Sequence, residues 1–272
     1  MLKLLHMSAL AGASVVALTL LASTAQAGPV LPVSNLTFSI YSGSAPKDYF
    51  SSVNPAAWYR GPAANQSDLV FIDAPGTATA TGGGPNSYAV WGPFANPPSG
   101  GNFVQADGNP DFESEFKQDL TNLTPGATYT LSFWQAAGQQ YLFTGATTEQ
   151  WKVFLGNDPV TLTGPVAGVY GVNYGTNSAA DSPLMNTPSQ GVSAWTQVSV
   201  DLLATSANET LTFLAWGDGG SNVNLPPTLF LAGVNTPDRN VPEPASLAIF
   251  GIALLGFGGL IFRRRSKNKP AV

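Results

Sequence analysis

Residues 28–237 of this 272-residue chain should fold as an all-β, antiparallel jelly-roll β-sandwich with long loops, flanked by an N-terminal signal helix and a single C-terminal transmembrane helix. Three observations predict it. Thr128 to Trp134 alternates polar and apolar residues with period two, the pattern of a half-buried strand. Similar short runs recur along the chain, most of them separated by Gly, Pro, Asn and Ser. No segment between them places apolar residues at helical spacing. Many short strands with turn residues between them bury their apolar faces best as two packed sheets.

In chain order the candidate strands are Leu36 to Tyr41, Tyr88 to Trp91, Phe103 to Ala106, Phe116 to Leu120, Thr128 to Trp134, Gln150 to Leu155, Trp195 to Leu203, Thr210 to Trp216 and Thr228 to Val234. The fifth follows a clear turn, Leu123-Thr124-Pro125-Gly126. The sixth sets Trp151, Val153 and Leu155 on one face, so Trp151 belongs to the core. The seventh and eighth separate Val198 and Val200, and Leu211 and Phe213, from the polar residues between them. Lys47 to Gly84 and Val166 to Gly191 are rich in Gly, Asn, Ser and Pro, and should be long surface loops.

The two ends carry export signals. Lys3 precedes an apolar stretch from Ser8 to Ala22, and Ala25-Gln26-Ala27 offers a small-x-small cleavage site, so residues 1–27 read as a secretory signal cut between Ala27 and Gly28. At the other end, residues 238–244 form a linker ending in Pro242-Glu243-Pro244, where prolines exclude a helix interior. Residues 245–262 carry no charge and as a helix would span roughly 27 Å, about a bilayer's hydrocarbon thickness. Arg263, Arg264 and Arg265 open a basic tail, 263–272, that should stay cytoplasmic.

A signal peptide, Val-Pro-Glu-Pro, one short glycine-rich hydrophobic helix and a terminal arginine cluster together resemble the PEP-CTERM sorting-signal proteins of Gram-negative bacteria. The resemblance covers about the last 30 residues and matches Pro242, Glu243 and Pro244 residue by residue. It implies processing by an exosortase after the export machinery and signal peptidase have acted. The protein would be anchored transiently in the inner membrane, then released to the cell surface or an extracellular polysaccharide matrix. A lasting membrane anchor is the other reading of the same tail.

Composition narrows the chemistry of the cargo. Between residues 28 and 240 five basic side chains face fifteen acidic ones, a formal net charge of −10, which argues against nucleic acid as a partner. The chain has no cysteine, and its single histidine, His6, leaves with the signal. Disulfides, Ser-His-Asp and Cys-His catalysis, and zinc or copper sites needing His or Cys are therefore excluded from the mature chain. Carboxylate chemistry, hard cations and binding without chemistry remain.

Strand alternation suggests a binding face. Trp134 falls with Thr128, Thr130 and Ser132, opposite Tyr129, Leu131 and Phe133; Trp195 falls with Gln197, Ser199 and Asp201; Trp216 falls with Thr210 and Thr212. Indoles on polar faces are surfaces on which a pyranose stacks, and Gln135, Gln139 and Gln140 could supply hydrogen bonds. The alternative is that loops fold over these residues and make a second core. The acids of Asp107-Gly108-Asn109-Pro110-Asp111-Phe112-Glu113 offer oxygen ligands for a structural calcium ion at Asp107, Asn109, Asp111 and Glu113, or are solvated loop acids. No other cofactor is expected.

Asp107 to Pro110, Gln118 to Leu120, Leu123 to Gly126, Tyr129 to Trp134, Trp151 to Val153, Trp195 to Val198 and Leu229 to Val234 together resemble the galactose-binding-like and carbohydrate-binding-module-like sandwiches of secreted bacterial proteins. Ala232-Gly233 stands where many relatives carry acids. The leading expectation is an exported, non-catalytic surface or matrix protein that binds polysaccharide. One alternative is a glycoside hydrolase or lyase using a pair among Asp111, Glu113, Glu115 and Glu149; the other is a purely structural or adhesive protein.

Overall fold

The computed structural model describes residues 28–40, 55–61, 69–80, 88–112, 114–166, 169–218 and 227–235. The signal segment, the linker from 238, the 245–262 span and the basic tail lie outside these residues. No helix among the described residues is long and apolar enough to cross a membrane.

Thirteen strands are present among the described residues: β1 (Tyr59–Arg60), β2 (Val70–Asp73), β3 (Phe103–Asp107), β4 (Glu115–Leu120), β5 (Thr128–Gln139), β6 (Thr147–Gly156), β7 (Thr161–Val166), β8 (Val169–Asn173), β9 (Ser178–Asp181), β10 (Met185–Thr187), β11 (Thr196–Leu203), β12 (Glu209–Asp218) and β13 (Pro227–Ala232). They build an antiparallel jelly-roll sandwich. One sheet runs β1-β4-β12-β6-β10, with β9 also on β6; the other runs β11-β5-β13-β3-β2; β7 and β8 pair as a separate hairpin.

Alternation decides the inner faces. Tyr129, Leu131 and Phe133 of β5, Val104 and Ala106 of β3, and Leu229 and Leu231 of β13 meet Phe116, Trp151, Val153, Leu155, Leu211 and Phe213 of the opposing sheet. Aromatic rings join edge to face across this core, with Phe213 5.2 Å from Phe133 and 6.0 Å from Trp151. Trp151 lies in the core, as its spacing requires, and its Nε1 donates to the Phe230 carbonyl of the facing sheet at 3.2 Å. The turn before β5 works through Gly126, whose φ of 82° lies in the left-handed region that suits glycine. The amide of Thr124 donates to the Tyr129 hydroxyl and locks that turn to the strand.

Three expectations are corrected. Leu36 to Tyr41 is not a strand where it is described: Asn35 and Phe38 have φ of 50° and 52°, which breaks extension and drives Phe38 into the core against Trp58 and Phe116. Tyr88 to Trp91 makes only isolated bridges at Val90, to Thr79 and to Gln140, because its backbone bonds go both to Ala78 and to the end of β5. The two loop-rich segments contain strands. β2 lies within the first, with all four residues buried; it shows no alternation because both faces are covered. β1, β9 and β10 are too short to carry a period, and exist through their pairing with β4 and β6.

The ends of the domain meet. The Pro29 carbonyl accepts from Thr130 and the Leu31 amide donates to Thr130, so the residues following Gly28 add beside β5 where β13 has ended. Asn235 clasps this addition: its side-chain nitrogen donates to the Leu31 carbonyl at 2.6 Å and its side-chain oxygen accepts from the Ser132 amide at 3.0 Å. Asn235 also holds φ of 53°, which alanine tolerates poorly. Asn235→Ala should cost about 2–3 kcal/mol in urea unfolding and speed amide exchange at Leu31 first. Unchanged exchange there would show that the clasp does not hold the N-terminal segment.

Candidate functional site

The outer faces of the two sheets differ. On the five-stranded sheet the outward residues Trp134, Ala136, Phe230, Ala232 and Phe103 are covered by Ala78, Val90, Phe94 and Val192, making a second apolar core that Trp195 partly closes. Gly138 allows this cover to approach, since a Cβ there would lie 3.2 Å from the Val90 side chain.

This cover corrects the exposed-face expectation for most of the residues proposed from sequence. Trp134 is 8% exposed, and its Nε1 has no hydrogen-bond partner among the described residues. Trp195 is half-buried, donates to the Ala95 carbonyl at 2.8 Å and packs its ring against Phe94 and Phe103. Gln135 and Gln139 point inward instead, where Gln135 donates to the Pro183 carbonyl and Gln139 both donates to Gly145 and accepts from Gln190. Gln140 is buried as well. Trp216 lies on the other sheet, half-buried, with the Lys152 ammonium 5.3 Å from its ring centroid. The three tryptophans therefore share no face.

Of the calcium set, only the side chains of Asp107 and Asn109 lie among the described residues. Asp107 is buried and accepts from the Asn109 amide at 2.8 Å. The Asp111 side chain and all of Glu113 lie outside the described residues, and no group of three or more metal-ligating side chains occurs within them.

The outer face of the six-stranded sheet carries an open groove of about 520 Å³, lined by Tyr59, Glu115, Lys117, Phe154, Gly156, Asn157, Asp158, Pro159, Val160, Thr210 and Thr212. Strand register explains the set. Tyr59 pairs with Lys117, Lys117 with Thr212, and Thr212 with Phe154, so these four form one row across the sheet. The next row toward the strand ends is Asp119, Thr210 and Gly156. The loop 157–160 supplies the far wall. It is fixed by Asp158, whose amide donates to the Asn177 side chain, whose carbonyl accepts from it, and whose carboxylate accepts from the Thr176 amide.

Each charge in and beside the groove is committed. Lys117 pairs with Glu115, and Lys152 pairs with Asp181 at 2.9 Å. Asp119 accepts from the Tyr59 hydroxyl at 2.6 Å and from Thr210 at 2.8 Å. Partial burial, then the Asp119 carboxylate, pushes the Tyr59 phenol up to about 12. The exposed Asp158 carboxyl is held below its usual range by the Thr176 hydroxyl and amide. Phe154 packs on Tyr174, whose hydroxyl donates to Asp181 at 3.3 Å; burial and Asp181 raise that phenol far above its ordinary value.

Asp107 and Glu149 carry carboxyls held well above the ordinary range, and both lie off the groove. Burial pushes Asp107 up to about 7, opposed by its bond from Asn109. Burial likewise pushes Glu149 up to about 7, opposed by bonds from Thr147 and Thr187. Within the groove, Glu115 is committed to the Lys117 ammonium and Asp158 is an anion stabilised by donors. Glu115 faces an ammonium rather than an apolar wall, and the lowered Asp158 carboxyl is the reverse of the proton-retaining one that a glycosidase general acid requires.

Period-two alternation places Glu115, Lys117, Thr210 and Thr212 outward, but nothing local joins them to Tyr59 or to Asn157 and Asp158. Those partners arrive through pairing of β1 on β4 and the turn after β6.

Comparison with known proteins gives a match to the PEP-CTERM protein-sorting motif over residues 240–265, which indicates an exported, cell-surface-directed protein. The sequence has no match among curated proteins. Among solved structures, the chain is similar to TmCBM61, determined in complex with beta-1,4-galactotriose, at 13% identity and TM-score 0.31, covering 66% of this chain and 86% of that one. It is similar to the CBM22-2 xylan-binding domain of Xyn10C from Paenibacillus barcinonensis at 10% identity and TM-score 0.35, covering 67% and 91%. A cleaved adhesin domain of Lys-gingipain from Porphyromonas gingivalis aligns at 15% identity and TM-score 0.34, covering 71% and 96%. The chain thus carries a PEP-CTERM sorting motif behind a β-sandwich whose structural neighbours include carbohydrate-binding modules.

Proposed function

We propose that this is an exported, non-catalytic protein that binds polysaccharide at the cell surface or in an extracellular matrix, through the groove on the outer face of the six-stranded sheet. In this reading signal peptidase removes residues 1–27 after export, residues 28–237 form the binding domain, and 238–244 presents Pro-Glu-Pro to an exosortase. The 245–262 helix and the basic tail hold the protein in the inner membrane only until processing.

The observation that carries the binding reading is the row Tyr59, Lys117, Thr212 and Phe154, set beside Asn157 and Asp158 in an open groove of about 520 Å³. Over a floor of buried Thr212 and Phe154 it sets the half-buried Tyr59 phenol beside the Thr210 hydroxyl, the exposed Asn157 amide and the Lys117 ammonium, the mixture that contacts sugar C–H faces and hydroxyls. The absence of histidine and cysteine from the cargo, and the commitment of the groove carboxylates to an ammonium and to hydrogen-bond donors, support binding without chemistry. Affinity electrophoresis of the full chain in detergent through gels containing single polysaccharides tests it. Retardation by at least one glycan is expected, with Tyr59→Ala weakening it about tenfold, a loss of ~1.4 kcal/mol, and Tyr59→Phe retaining most of it. Equal retardation of the wild type and Tyr59→Ala would move binding away from this groove.

A further inference from the structure

Building on the polysaccharide-binding reading, we infer that the groove accepts an uncharged glycan and rejects chains bearing uronate, sulfate or other fixed anions. A surface-directed protein with lysines in its groove invites the opposite assignment, but the charge arrangement reverses it. Lys117 and Lys152 are each neutralised by a carboxylate, Glu115 and Asp181. Arg60, on the adjoining edge strand, is also engaged. Two further carboxylates, Asp119 and Asp158, stand at the same face and, among the described residues, are bonded by hydroxyl and amide donors rather than by a cation. Asp158 is exposed and its carboxyl is held below the usual range by those donors, which favours its ionised form.

In and beside the groove, among the described residues, the four carboxylates of Glu115, Asp119, Asp158 and Asp181 outnumber the three cationic groups of Lys117, Lys152 and Arg60. A bound anion would either sit close to carboxylates that, among the described residues, are held by hydroxyl and amide donors, or break an existing ion pair. At contact distance in high dielectric one such carboxylate weakens an anion by roughly fivefold, and two by more than about tenfold. The rest of the domain adds to this, since residues 28–240 carry a formal net charge of −10, which slows the approach of polyanions at low salt. A neutral pyranose meets none of these costs. Its hydroxyls can donate to carboxylate oxygens, as Tyr59 and Thr210 already do to Asp119, and such bonds to charged acceptors are stronger than neutral ones.

The experiment compares the full chain in detergent against a neutral set (a xylan, a galactan and a mannan) and an anionic set (alginate, polygalacturonate and hyaluronate) at low and at moderate ionic strength. Binding to at least one neutral glycan is expected, little changed by salt, with no retardation by the anionic set. The double variant Glu115→Gln, Asp158→Asn should gain anionic-glycan binding by about five- to tenfold; Asp158→Asn alone, which leaves the Lys117 pair intact, should gain roughly fivefold and guards against a folding defect in the double variant. Preferential, salt-sensitive binding to the anionic set would overturn the charge assignment and leave the polysaccharide reading standing. Binding to neither set would overturn both.

Discussion

Between about pH 4 and pH 8 the domain is expected to lose about 7 kcal/mol of stability, because two buried carboxyls must give up protons that they hold only in the folded state. Asp107 and Glu149 have ordinary values of 3.8 and 4.5 and are both pushed up to about 7 by burial. Below pH 4 the folded and unfolded forms are both largely protonated at these sites, and their contribution is at its most favourable. From the unfolded values up to about 7, the unfolded chain ionises and the folded chain does not. Each pH unit in that window costs about 1.4 kcal/mol per group, about 4 kcal/mol for Asp107 and about 3 kcal/mol for Glu149 by its upper end. Above about 7 both states are ionised and the penalty is constant. Asp158 works in the opposite sense: its depressed carboxyl favours the fold above its ordinary value of 3.8, and that contribution fades as pH falls through the folded value. Stability should therefore peak near pH 4.

Urea midpoints across this range check the expectation. Asp107→Asn and Glu149→Gln should each remove about half of the fall that these two groups contribute. The carboxamide that Asp107→Asn introduces keeps an oxygen able to accept from the Asn109 amide, so little else is disturbed. Stability that rises from pH 5 to pH 8 would show that these carboxyls are not buried as described. Calcium offers a separate control. If Asp107 holds a cation together with Asn109, Asp111 and Glu113, added calcium will stabilise the protein at pH 8 and a chelator will restore the pH-dependent fall; with no ion bound, neither will act.

Truncating Trp151 is expected to have the largest effect of any single substitution outside the carboxyls. Its side chain is fully buried, meets Phe213 edge to face, and its indole N–H is bonded to the backbone of the facing sheet. Trp151→Ala opens a large cavity where both sheets are needed to close it, and should cost about 4 kcal/mol. For a domain of this size that is roughly a 10 °C fall in melting temperature. Trp151→Phe keeps most of the volume but leaves the Phe230 carbonyl without its donor, and should cost about 2 kcal/mol. A loss under about 1 kcal/mol for the alanine variant would mean that the sheets are held chiefly elsewhere. Trp134→Ala should cost less than Trp151→Ala, since its core is small, formed on an outer face, and leaves its own N–H without a partner among the described residues.

Only part of this architecture was legible in the sequence. β5 was legible because one face is buried and the other is not at its start, so the period of two survives in Thr128 to Trp134. Its continuation to Gln139 was not, because the outer face there is covered by the segment around Val90 and the alternation disappears. The same cover turned Trp134 and Trp195 from an exposed pair into packing. β2 was invisible for a related reason, being buried on both faces, while β1 and β10, at two and three residues, are too short for a period to repeat. Phe38 reads as part of a strand but sits at a left-handed position, which no pattern of hydrophobicity encodes.

The chain order of the residues was enough to establish what depends on composition and local spacing. That includes a sorting motif near the C-terminus, an all-β cargo, the inward face of each half-exposed strand, and the absence of cysteine. It could not establish which loops close over a sheet and which strand edges meet. The groove draws on residues as far apart in sequence as Tyr59 and Thr212, joined by the registers of β1, β4, β12 and β6. Those registers are set by burying the opposite faces of the same strands, so the site follows from how the core packs.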